Sequence, residues 1–246
     1  MVSDLDARRK QAASFGRVAD VYERSRPGYP EAAVAWLAGT TPADVVDLGA
    51  GTGKLTRSLA ALGHRVTAVE PLEEMLAQLR ASLPRVRSLT GGAEAIPLPD
   101  TSADVVTCAQ AFHWFDHQRA LVEIARVLRP AGRLALVWNM RDESEIWVEE
   151  LSDAIVGRTG LDRGASEPIE RSGLYGPVER AVFEHAQQVD RTTMRELVLS
   201  RSYCAILPEE ERTPILDRVE RIFDEHARAG ILRVPYRTEC FRATRC

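Results

Sequence analysis

The sequence predicts an α/β fold with a mainly parallel sheet covered by helices on both faces. Three observations carry that expectation: short runs of branched apolar residues, helical patterns alternating with them, and a glycine-rich turn directly after the first run. ADVVDLGA reads as a buried strand because its apolar positions are nearly continuous and β-branched. GKLTRSLAALG follows as a helix, HRVTAVEP as a second strand, and PLEEMLAQLRASLP as a helix with an acidic first turn. VRSLTGG supplies a third strand and ADVVTCAQA a fourth. HQRALVEIARVLRP is a helix stopped by Pro130, and GRLALVWNM is a fifth strand. Such a series implies right-handed crossovers.

After Met140 the pattern changes. RDESEIWVEELSDAIVGRTG looks helical and VERAVFEHAQQV alternates like a strand. Helical stretches follow around TTMRELVLSRSYCAI and PEEERTPILDRVERIFDEHA, and ILRVPYRTECFRAT reads as a last strand. The two late strands are expected to extend the sheet at one edge, with the helices between them over the ligand crevice. No internal repeat or low-complexity linker divides the chain, so a single domain over 1–246 is expected.

A length of 246 residues suffices for one large α/β domain. Apolar content of 45% with 28% charged residues fits a soluble protein, and no apolar run approaches the roughly 20 residues of a membrane span. The start, MVSDLDARRKQAASFG, lacks the charged head and apolar core of a secretory signal. Cys108, Cys204, Cys240 and Cys246 form neither a CxxC pair nor a zinc spacing, which points to reduced thiols and the cytoplasm. A net charge of −4 without a basic block gains nothing from counterion release, so no nucleic-acid partner is expected. The expected state is a monomer or homodimer.

The stretch VVDLGAGTGK sets Gly49, Ala50, Gly51 and Gly53 between strand and helix. Without Cβ atoms the backbone turns tightly there and lets a ligand approach the unpaired N–H groups of a helix start. The same turn also occurs with no ligand. Glu70 ends the next strand, where a carboxylate accepts hydrogen bonds from both ribose hydroxyls of an adenosine, or caps the helix that begins near Pro71. Asp47, just ahead of the glycines, can order the loop by accepting its N–H groups, and a second carboxylate there would repel a pyrophosphate. The spacing also departs from the GxGxxG of dinucleotide enzymes.

VVDLGAGTGK followed by AVEP resembles motifs I and II of the class I S-adenosylmethionine-dependent methyltransferases. GGAEAIPLPDTSADVVTCAQAFHWFD resembles the type 11 methyltransferase domain, so that the likeness covers roughly residues 40 to 140. It implies a Rossmann-like seven-stranded, mostly parallel sheet with an antiparallel last strand, and S-adenosylmethionine as cofactor. Residues 1–40 would then form an N-terminal lid, 41–140 the cofactor-binding core, and 141–246 the sheet completion and substrate-covering helices. The resemblance places Asp47, Gly49, Ala50, Gly51 and Gly53 around the methionine and ribose, Glu70 on the ribose hydroxyls, and Pro71 and Leu72 by the adenine. Many relatives read GDAE where this chain has Gly92, Ala93 and Glu94. The Asp position is Gly92, so the adenine amino contact passes to Glu94 or to backbone groups. Gln110 and Ala111 stand where relatives touch the methionine part.

AQAFHWFD puts Phe112, His113, Trp114 and Phe115 just beyond a strand's carboxyl end, the edge where open α/β sheets bind ligands. An aromatic face near a sulfonium is worth about 0.5–2 kcal/mol. That charge disperses as the methyl leaves, so these rings are better read as shaping and drying the site. Phe115 is equally a plug under the next helix, while Phe112 and Trp114 are expected to line the acceptor. The block resembles the branch containing trans-aconitate methyltransferases, which implies a small acidic or hydroxylated acceptor. His113 is the candidate general base, or else a histidine that bonds the backbone or only touches the cofactor. His113 and His117 have a metal-like spacing without a third ligand, and no metal is expected. Trp138 and Asn139 end the fifth strand and are expected at the acceptor pocket, with core packing the stronger reading for Trp138.

FGRVADVYERSRPGYP carries Phe15, Arg17, Tyr22, Arg26 and Tyr29 in a helix-then-turn stretch. In similar proteins this region covers the cofactor, so Tyr22 and Arg26 are expected near the methionine carboxylate; an arginine clamp there serves cofactor or substrate. The alternative is an amphipathic helix packed on the body. The expected activity is methyl transfer to a small-molecule acceptor, at oxygen, by in-line displacement. Positioning contributes about 7–11 kcal/mol to such a reaction and calls for no nucleophile. The rivals are a non-catalytic cofactor-binding interaction protein and an NAD-dependent oxidoreductase.

Overall fold

The computed structural model describes residues 19–155, 166–201, 204 and 207–246. Phe15, Arg17 and the polar start lie outside the described residues, as do the end of the helical stretch after Met140 and part of TTMRELVLSRSYCAI. Strands β1 (Asp44–Leu48), β2 (Arg65–Glu70), β3 (Arg87–Thr90), β4 (Ala103–Ala109), β5 (Leu128–Arg141), β6 (Glu179–Val189) and β7 (Leu232–Thr244) form one sheet in the order β3-β2-β1-β4-β5-β7-β6. β1 to β5 are parallel, and β7 enters antiparallel between β5 and β6. The expected Rossmann-like architecture is therefore present. Val46 pairs with Thr67 on one side and Val106 on the other, so Leu48, Glu70 and Ala109 end their strands on one edge.

The helices are α1 (Ala19–Ser25), α2 (Glu31–Ala38), α3 (Lys54–Ala61), α4 (Glu73–Ser82), α5 (His117–Val127), α6 (Ile146–Ala154), α7 (Ser166–Ser172), α8 (Arg191–Leu199) and α9 (Glu209–His226). The sequence reading missed α2, although Pro30 precedes it and Gly39, at φ 85°, follows it as breaker signals. It also carried α5 on to Pro130. The helix ends at Val127 because Leu128 already pairs with Ala103, and a register slip follows with Ala131 at φ 59°.

The chain divides into two compact units. One comprises Gly28–Asn139, Asp162–Phe183 and Thr238–Cys246. Its core includes Val34, Leu37, Leu55, Leu59, Val105 and Ala135, packed where α2 and α3 cover the sheet. Truncating such a leucine to alanine costs about 2–5 kcal/mol. The other comprises Met1–Pro27, Met140–Leu161 and Glu184–Arg237, and packs Leu151, Val198, Val219, Phe223, Val234 and Tyr236 together. Among the described residues no helix is long and apolar enough to cross a membrane.

Candidate active site

The turn from β1 to α3 holds three left-handed glycines, Gly49 (φ 69°), Gly51 (φ 56°) and Gly53 (φ 91°). A Cβ on Gly49 would stand 2.8 Å from Ala111 Cβ, and one on Gly53 2.9 Å from Leu79 Cγ, so both are glycine for packing as well as conformation. Gly51 differs: a Cβ there would meet nothing within 4 Å. The loop is tied across the sheet edge, with the N–H groups of Gly49 and Ala50 donating to Val69 O at 2.8 and 3.2 Å.

Two buried carboxylates lie beneath it. Glu70, 6% exposed, accepts from Gly51 N–H at 2.9 Å with one oxygen and from Leu72 N–H at 3.0 Å with the other. A carboxylate has roughly four acceptor sites, so about half remain for a ligand. Burial raises the Glu70 carboxyl above its ordinary range, and the two backbone donors oppose that rise. Asp47, 1% exposed, accepts from Thr56 Oγ1 at 2.5 Å and Thr107 Oγ1 at 3.1 Å. Burial pushes it up to about 6 against those hydroxyls. Thr56 and Thr107 escaped the sequence reading; the available signal was a pair of small hydroxyl residues inside otherwise apolar buried elements.

Leu72, half-buried, starts α4, while Pro71 beside it is exposed. Gly92 and Ala95 form an isolated antiparallel bridge that folds Ala93 and Glu94 back toward α5. Glu94 donates nothing and accepts Asp116 N–H at 2.9 Å; its other oxygen would lie 3.3 Å from a Cβ on Gly92. The Glu94 carboxylate thus stands beside Gly92.

Beyond β4, Gln110 adopts φ 58°, an uncommon conformation for a residue with a side chain. It is held by its N–H to Val137 O at 3.0 Å and its amide Nε2 to Asn139 O at 3.3 Å. Ala111 leads into a short 3₁₀ turn, Phe112–Trp114. Phe112 is fully buried, stacked 4.5 Å from the His117 ring, which bonds Phe112 O at 3.1 Å. This corrects the expectation that Phe112 lines the acceptor: it has no surface to offer, and His117 is its packing partner. Phe115 instead reaches the glycine loop, 3.5 Å from where a Gly49 Cβ would stand. His113 and Trp114 are half-buried, their rings 4.6 Å apart.

Trp138, 3% exposed, packs edge-on to Phe241 at 5.7 Å, in line with core packing, and its buried indole N–H has no partner among the described residues. Asn139 is a brace. Its amide donates to Gly28 O at 2.9 Å and accepts from Thr238 Oγ1 at 2.7 Å, so both ends are engaged within the protein. Tyr22 and Arg26 belong to the other compact unit, where the Arg26 guanidinium lies 5.3 Å from the Tyr22 ring centroid. Among the described residues no His, Cys, Asp and Glu group could hold a metal.

A turn that leaves one glycine open beside a buried carboxylate suits a nucleoside with a free diol, and the two carboxylates disfavour a pyrophosphate. The family model of the methyltransferase domain matches residues 46–136. A methyltransferase of Mycobacterium tuberculosis, itself uncharacterized, is 47% identical over 97% of this chain and 98% of its own length. This chain belongs to the S-adenosylmethionine-dependent methyltransferases. The solved structure of a proposed type II methyltransferase from Anaeromyxobacter dehalogenans shares the methyltransferase fold at 28% identity and a TM-score of 0.66, covering 89% of this chain and 97% of that one. A malonyl-[acyl-carrier protein] O-methyltransferase of Methylococcus capsulatus is 37% identical to the methyltransferase over 54% of this chain and 52% of its own length.

Proposed function

We propose that the enzyme seats S-adenosylmethionine along the carboxyl ends of β1, β2 and β4 and passes its methyl group to an oxygen of a small-molecule acceptor. Gly51 carries this reading: its backbone is open on one side, and its N–H is held by a carboxylate with acceptor sites left for a ribose diol. When bound, the cofactor supplies an electrophilic methyl on a cationic sulfur.

Gly49, Ala50 and Gly53 shape the loop, and Asp47 stiffens its base through Thr56 and Thr107. Pro71 and Leu72 flank the adenine, with Gly92, Ala93 and Glu94 at its amino edge. Gln110 and Ala111 offer backbone to the methionine part, and Tyr22 with Arg26 is assigned to the ligand carboxylates. His113 takes the proton where the acceptor is a hydroxyl. Trp114 and Phe115 exclude water, while Trp138 and Asn139 hold the end of β5. Transfer to oxygen draws support from the name of the Methylococcus relative. Four thiols outside any disulfide favour a reducing, cytoplasmic setting.

Calorimetry with S-adenosylhomocysteine tests the site. Glu70→Gln in a folded protein should weaken binding by about 1–3 kcal/mol through the lost ribose contacts. Unchanged affinity would remove that role from Glu70. Tight binding without turnover on any acid or phenol would favour the non-catalytic alternative.

A further inference from the structure

The amino ends of the strands, away from the glycine loop, carry a cleft that methyl transfer does not use. Asp44, Arg65 and Arg87 are the first residues of β1, β2 and β3, and all three line it. Its volume is about 660 Å³, within the roughly 300–1,000 Å³ of small-molecule sites. Every lining residue falls within Gly28–Asn139. Val46 pairs with Thr67 and Thr67 with Arg87, so these three side chains share one face of the sheet. Leu98 and Pro99, from the segment before β4, join Val46, Val66 and Val86 in an apolar lining.

The charges single this cleft out. Arg65 Nε donates to one oxygen of Asp44 at 2.7 Å and Arg129 to the other at 3.0 Å, so the only carboxylate of the lining is engaged at both ends. Nearby, Asp104 accepts from the Asp44 N–H and from Arg129, and Asp100 accepts from Arg126. Arg85 and Arg87 stand outside this network and have no partner among the described residues. The chain holds 36 carboxylates against 32 Lys and Arg, so this shortage of anions is local. His64, 6% exposed, lines the same cleft; its Nε2 lies 3.1 Å from Gly39 O, while its Nδ1 is buried with no partner among the described residues. A buried polar atom without a partner is rare in a folded protein and calls for one from outside it.

With Arg65 and Asp44 neutralising each other, two positive charges are left, each on a planar fork suited to phosphate or carboxylate oxygens. A phosphomonoester brings about −1.5 to −2 charge on one head group at pH 7, where a carboxylate brings one. Low-dielectric walls focus the field of such charges into a cleft. We infer that this cleft binds a phosphomonoester with an apolar body, its phosphate on Arg85 and Arg87 and its body against Val46, Leu98 and Pro99. The site is separate from the cofactor edge, since the whole length of β2 lies between Arg65 and Glu70.

Calorimetry on the full chain with phenyl phosphate tests this at about pH 7.5, where the phosphate is close to doubly charged. Phenyl phosphate should bind at least about tenfold tighter than inorganic phosphate, which lacks the body, benzyl alcohol, which lacks the charge, and benzoate, which lacks the second charge. Arg85→Gln and Arg87→Gln should each weaken it by about tenfold or more, and both variants should unfold in urea like the wild type because the two side chains are exposed. Arg218→Gln, at an exposed arginine of α9, should leave binding unchanged. Four results would overturn the assignment: no binding of phenyl phosphate, equal binding of inorganic phosphate or benzoate, an Arg85 or Arg87 variant that binds like the wild type, or displacement by S-adenosylhomocysteine, which would seat the probe at the cofactor edge. A wild type that binds phenyl phosphate but not S-adenosylhomocysteine would uphold this cleft and sink the cofactor reading.

Discussion

Asp47→Asn should flatten the dependence of stability on pH in the acid range. Burial raises this carboxyl from 3.8 to about 6 in the folded protein, despite the Thr56 and Thr107 hydroxyls that favour its charged form. With the folded value above the unfolded one, the group's contribution to stability is complete below pH 3.8 and lost as pH rises through about 6. The gap between those values corresponds to roughly 3 kcal/mol at the full extent. Asparagine cannot ionise and loses nothing across the window. Urea unfolding of both proteins at about pH 4 and about pH 7, followed by tryptophan fluorescence, reads this directly. The advantage of wild type over variant should shrink by about 2–3 kcal/mol between the two conditions. Parallel curves would refute the reasoning, because they would mean that Asp47 titrates alike folded and unfolded.

Glu70→Ala should reduce both stability and cofactor affinity, since two backbone donors lose their acceptor; about 1–3 kcal/mol of stability is at stake for each orphaned group, measurable by thermal and urea unfolding. Stability equal to wild type would mean that water replaces the carboxylate in the loop. Gly49→Ala and Gly51→Ala should separate packing from ligand approach. The first meets Ala111 at 2.8 Å and should destabilise the apoprotein by more than the roughly 1–2 kcal/mol that a left-handed residue costs, while the second should stay near that cost yet lose S-adenosylhomocysteine binding. Equal losses of stability would contradict the difference in their surroundings. His113→Ala should lower kcat on a hydroxyl acceptor by about 10²–10⁴-fold with cofactor affinity kept, and an undiminished turnover number would exclude proton transfer there.

The alternation of strand and helix was legible because parallel strands buried on both faces leave continuous apolar runs, as in β1 and β4. The glycine turn and Glu70 were legible for a related reason: both depend on local backbone chemistry. What the sequence hid depends on distant partners. Phe112 and Phe115 are the same residue type three apart, and only the packing of His117 and the approach of Gly49 decide which one is core. Asn139 looked like a pocket residue until Gly28 and Thr238 took both ends of its amide. The end of α5 was misread because tertiary pairing of Leu128 overrides a helix-favouring run.

The seating of β7 between β5 and β6 bears on how the chain is made. β6 is synthesised more than forty residues before β7, its sheet neighbour among the described residues, since Val189 precedes Leu232 with α8 and α9 between them. Until the chain has emerged through Thr244, β5 presents a bare edge and β6 hangs without a ladder, the condition in which strands recruit foreign partners. Strands β1 to β5 can therefore pair on the ribosome, whereas the late strands must wait, and removing β7 would strip two strands from the sheet, not one.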